Sequence, residues 1–83
     1  MKVEKVKEII KELKKDRKYK KRQYLLKVND HDPEFYIKTI KIQANLHLDI
    51  VRSDNKGQIF KIEDILFMGI DAGYPYEFII YMK

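Results

Sequence analysis

The chain has 83 residues, 18 Lys and Arg against 13 Asp and Glu, a net charge of +5 and a 45% hydrophobic share. At this length one modest core can form, hiding roughly 60% of the unfolded surface, and a separate cofactor domain does not fit. A 12% aromatic share argues against disorder, and the absence of cysteine excludes disulfides, thiolate zinc sites and cysteine nucleophiles.

A secretory signal needs an apolar run of about 7–15 residues near its start, but MKVEKVKEIIKELKK carries a charge at every second or third position. The longest apolar stretch, Ile65 to Ile70, is six residues, against about 20 for a membrane helix. A single soluble, cytoplasmic domain over residues 1–83 is expected, with no membrane partner.

The first element is an amphipathic helix over residues 2–18. Val3, Val6, Ile9, Ile10 and Leu13 recur at three- and four-residue spacing, and no Gly or Pro interrupts them. Glu4–Lys7, Glu8–Lys11 and Glu12–Lys15 are i,i+3 pairs, each worth a few tenths of a kcal/mol. Arg17 falls where the next core residue belongs. The last turn and the Lys18–Arg22 run are therefore expected to project beyond the body.

Gln23–Val28 reads as a first strand, and Asn29–Pro33 as a turn that Pro33 keeps out of any strand. Extended structure resumes at Phe35–Ile37. Ile40, Ile42, Ala44, Leu46, Leu48 and Ile50 then alternate with polar residues across eleven positions, which indicates a strand with one buried face. Eleven exceeds the usual five or six, so the strand either bends or breaks at a tight turn near Ala44-Asn45. Ser53–Gln58 is a hairpin loop with Gly57 as the expected positive-φ residue. Ile59–Ile62 and Ile65–Ile70 flank a short break at Glu63-Asp64. After a turn over Asp71–Pro75, Tyr76–Lys83 forms the last strand.

This order predicts an α+β fold, an N-terminal amphipathic helix followed by a four- to five-stranded antiparallel meander. A sharper version bends the sheet into a small barrel with the helix at its end. In element order alone that is similar to an Sm-type or SH3-like barrel. The glycines that usually let such sheets bend are absent between Gln23 and Lys56.

Charge divides the chain unevenly. Residues 1–22 hold eleven bases and four acids, a net +7, whereas the body over residues 23–83 holds seven bases and nine acids, a net −2. Such asymmetry points to polyanion binding. Lys14, Lys15, Arg17, Lys18, Lys20, Lys21 and Arg22, interleaved with Tyr19 and Tyr24, suit phosphates with rings stacking on bases. Cations in a last helical turn also offset the macrodipole, but that effect ends with the helix and leaves Lys20, Lys21 and Arg22 unexplained. The first functional expectation is a non-enzymatic nucleic-acid-binding accessory protein, its partner DNA or RNA. The chain carries no zinc-finger spacing or RNA-recognition aromatic signature that would read bases.

The second expectation is a protein-interaction module or inhibitor, with a protein partner or a homodimer. If the last strand is an edge, Tyr76, Phe78, Ile79 and Tyr81 form its interface; on an interior strand the same residues are core. Asp30, His31, Asp32 and Glu34 lack the glycine and distal glutamate of a calcium loop, and read as a charged turn. His47 and Asp49 share the outward face of the long strand, with no nucleophile near them in sequence. No catalytic residue, metal or cofactor is expected.

Overall fold

The computed structural model describes residues 1–83. Helix α1 spans Val3–Tyr19, with Val6, Ile10 and Leu13 buried on one face, as the apolar stripe requires. The Arg17 guanidinium donates to the Lys38 carbonyl at 2.8 Å, tying the last turn to the sheet behind it. The Lys20 amide bonds back to the Asp16 carbonyl, and Lys21 then takes a left-handed φ of 51°, the helix-ending conformation that usually falls to glycine. The expectation of a projecting Lys18–Arg22 arm is corrected here. The chain reverses at Lys21 and leads directly into the first strand.

The strands are β1 (Leu25–Val28), β2 (Ile37–Gln43), β3 (His47–Arg52), β4 (Gly57–Lys61), β5 (Ile65–Asp71) and β6 (Glu77–Met82). A single 3-10 turn, Ile62–Asp64, joins β4 to β5. The long alternating segment breaks at the tight turn: Ala44 and Asn45 have φ of 53° and 55°, positive at both positions as in the primed hairpin turns. Its two halves pair as β2 and β3, with Ile40 opposite Ile50 and Ile42 opposite Leu48. Leu46 leaves the buried row and lies in the turn, 63% exposed. In the next hairpin the positive φ falls on Asn55, at 67°, and not on Gly57.

The architecture is α+β, but the single meander is not observed. The strands form two three-stranded sheets, in the orders β1-β6-β5 and β2-β3-β4, that do not close into a barrel. Asn29 and Asp30, both left-handed, make a tight turn after β1, closed by the His31 amide on the Val28 carbonyl at 3.1 Å. The returning segment meets β1 antiparallel only around Tyr36, and β1 and β2 form no continuous ladder. Strand β1 instead pairs in parallel with β6, Leu26 opposite Phe78 and Val28 opposite Ile80, while β5 pairs antiparallel on the other side of β6. Around Tyr36 the sheets touch, through an isolated bridge from Leu25 to Tyr36 and a 2.9 Å bond from the Ile37 amide to the Tyr24 carbonyl.

Fifteen buried side chains form one cluster drawn from α1, both sheets, Tyr24 and Ile62. The helix packs on β5 and β2, one strand from each sheet. The Met1 ammonium donates to the Ile62 and Ile65 carbonyls at 3.2 and 2.8 Å, which fixes the other end of α1.

Candidate nucleic-acid interface

Three segments meet where α1 ends. The first is Lys20–Gln23, turned back by the left-handed Lys21. The second is Tyr36, whose amide donates to the Ser53 hydroxyl at 3.1 Å and whose carbonyl accepts from the Ser53 amide at 2.8 Å. The third is the turn before β6, where the Gly73 amide donates to the Asp71 carboxylate at 2.9 Å and the Tyr76 carbonyl accepts from the Leu25 amide at 2.9 Å. Together they line an open groove of about 620 Å³, with Lys20, Lys21, Arg22, Gln23, Tyr36, Tyr74 and Tyr76 on its walls.

The tyrosines of this region are layered. Tyr24 is fully buried, and its hydroxyl donates to Asp16 at 2.9 Å. Tyr76 stands on it, ring centres 5.7 Å apart, and carries the Arg22 guanidinium 4.6 Å from its own centre. Tyr74 meets Tyr76 edge-on at 6.1 Å and is 93% exposed. Burial pushes the Tyr24 hydroxyl above its ordinary pKa, and the bond to Asp16 adds to the shift. The Tyr24 hydroxyl in turn holds the Arg22 guanidinium more firmly in its charged form.

Cations continue on both sides. A second depression shares Gln23 and Tyr36 with the groove and adds Arg17, Lys38 and Asn55. Along α1, Lys7, Lys11 and Lys14 surround Ile10 and Ile42. No carboxylate lines any of these three hollows. The Lys20 ammonium lies 3.7 Å from Asp16, an ion pair with an exposed cation and a half-buried carboxylate.

The structure sorts the residues singled out from sequence. Lys14, Lys15, Lys18, Tyr19, Lys20 and Lys21 are exposed, and Lys18 lies 5.5 Å from the centre of the Tyr19 ring. Arg17 and Arg22 are half-buried through their contacts with Lys38 and Tyr76. Tyr24 is a correction, since a ring with no accessible surface has no face for a base.

The strand-edge interface is a second correction. β6 is the central strand of its sheet, with β1 and β5 pairing on either side, so it presents no free backbone edge. Phe78 is core, Ile79 and Tyr81 are half-buried, and Tyr76 belongs to the basic groove.

Sequence reasoning missed Tyr36, Lys38 and Tyr74. Tyr74 carried a signal, as an aromatic residue inside a Gly- and Pro-containing turn, since loop residues lie on the surface. Tyr36 and Lys38 carried none, because their place depends on the bridge between the sheets.

The remaining candidates lie elsewhere. Asp30 accepts a hydrogen bond from the Tyr81 hydroxyl. His31, Asp32 and Glu34 line a small hollow with Arg52, whose guanidinium is held by both Asp54 carboxylate oxygens at 3.0 and 2.5 Å. No three His, Cys, Asp or Glu side chains converge as metal ligands. Asp49 is half-buried, and one of its carboxylate oxygens has no hydrogen-bond partner. No helix is long and apolar enough to cross a membrane.

No protein-family model, curated protein or solved structure matches the chain.

Proposed function

We propose that the chain is a small, non-enzymatic nucleic-acid-binding protein. It contacts phosphates through the end of α1 and the turn that follows. One observation carries this reading: Lys20, Lys21 and Arg22 share an open groove with Tyr36, Tyr74 and Tyr76, and no carboxylate lines it. Cations alone would suit any polyanion, including an acidic protein. Cations interleaved with accessible rings match the combination that backbone-tracking, base-stacking sites use. Arg17 and Lys38 extend the same surface past Tyr36.

Counterion release makes the reading measurable. If Arg17, Lys18, Lys20, Lys21 and Arg22 each neutralise a phosphate, log K should fall against log salt with a slope near about −3.5 for a single strand and about −4.5 for a duplex. Fluorescence anisotropy of a labelled oligonucleotide at several salt concentrations gives that slope. The variant Lys20→Ala with Lys21→Ala should flatten it by about 1.4 to 1.8. Both side chains are exposed, so circular dichroism should show an unchanged fold. Absence of binding at low salt, or a slope near zero, defeats the proposal.

A further inference from the structure

We infer that the groove at the end of α1 takes an unpaired base on Tyr74, so that its ligand is a single-stranded segment and not a duplex; this rests on the nucleic-acid reading. Tyr74 is 93% exposed, and its ring neighbour Tyr76 meets it edge-on at an interplanar angle of 82°. Tyr74 is the most exposed of the large hydrophobic side chains, ahead of Tyr19 and Ile59 at 70%. Tyr76 is already engaged, with Arg22 at 4.6 Å from its ring centre and Tyr24 beneath it. That leaves Tyr74 as the available platform. Tyr36, 42% exposed, supplies a second ring in the same groove.

The choice of single strand follows from where the charges sit. Lys20, Lys21 and Arg22 line the same groove as the rings, so a bound phosphate and a stacked base must come from neighbouring parts of one strand. In a duplex each base face is covered by the next pair, and only backbone and groove edges are offered. An unpaired strand can turn a base onto a ring while its phosphates reach the cations.

The test is competition at fixed low salt between labelled single strands, oligothymidylate and oligouridylate, and duplexes of the same sugar and length. Single strands should bind more tightly than the matching duplex. Tyr74→Ala should weaken single-strand binding by about fivefold to about a hundredfold, the worth of one stacked base. It should leave duplex affinity and the salt slope unchanged, and Tyr74→Trp should restore binding. The chain has six tyrosines and no tryptophan, so quenching of tyrosine fluorescence on titration reports stacking directly, and Tyr74→Ala should reduce it. Equal affinity for duplex and single strand overturns the inference, as does a Tyr74→Ala variant that binds single strands like the parent; in both cases phosphate binding stands. Loss of all binding, with no salt response, overturns the nucleic-acid reading as well.

Discussion

Tyr24 and Tyr74 flank the same ring, Tyr76, with centres 5.7 and 6.1 Å away, yet one has no exposed surface and the other is 93% exposed. The inner tyrosine is a structural post. It fills core volume and spends its hydroxyl on Asp16, near the last turn of α1. The outer tyrosine contributes little to the core and is free to meet a ligand. Between them Tyr76 links fold to surface, since its backbone pairs with the start of β1 and its ring carries Arg22. The difference teaches that an aromatic residue near cations is not a stacking site until its accessible face is known.

Substitutions can break this contrast, and their expected effects fall from core to rim. Tyr24→Ala should lower stability by about 3–5 kcal/mol, the range for removing a buried aromatic ring, as a reduced midpoint in urea unfolding. Tyr24→Phe keeps the ring and loses the bond to the Asp16 carboxylate, with an expected loss of about 1.5–3 kcal/mol. Arg22→Gln removes the cation over Tyr76 and should lower stability less than Tyr24→Phe does. Tyr74→Ala should stay within about 0.5 kcal/mol of the parent. If Tyr74→Ala destabilises as much as Tyr24→Phe, the distinction between post and platform is wrong.

Alkaline pH sharpens the same comparison. Burial and the Asp16 bond raise the Tyr24 pKa, so the folded protein holds the phenol proton more tightly than the unfolded chain does. The Tyr24 contribution is fully present below about pH 10, the unfolded value, and is lost as pH rises through the folded one. Tyr81 is shifted in the same direction, chiefly by its bond to Asp30. Denaturant titrations between pH 8 and 11, in the range about the ordinary phenol pKa, should therefore show declining stability at the alkaline end. Tyr24→Phe and Tyr81→Phe should each remove part of that decline.

Several elements were legible without coordinates. The stripe Val6, Ile10 and Leu13 marks the buried face of α1 because helical periodicity is written within a few turns. The β2–β3 hairpin follows from alternation, with its break at Ala44-Asn45 among the two alternatives. The cationic half of the site was legible for the same reason, since Lys14 through Arg22 are neighbours in sequence. Its aromatic half was not. Tyr24 looked like a companion of the cations because it follows them, and Tyr76 looked like part of a strand-edge interface because it precedes Phe78.

What decided both was the parallel pairing of β1 with β6, segments some 50 residues apart. Sequence alone determined the composition, the helix with its buried face, the local hairpins and the concentration of positive charge in the first 22 residues. Each of these is set by side chains that neighbour one another along the chain. Tertiary structure decided that the apolar strands divide into two sheets, that β6 lies inside one of them, and that Tyr36, Tyr74 and Tyr76 come to the cations at the end of α1. Distant strands pair according to which arrangement buries the most apolar surface while satisfying their backbone groups. That balance is struck over the whole chain at once, so no local pattern announces it.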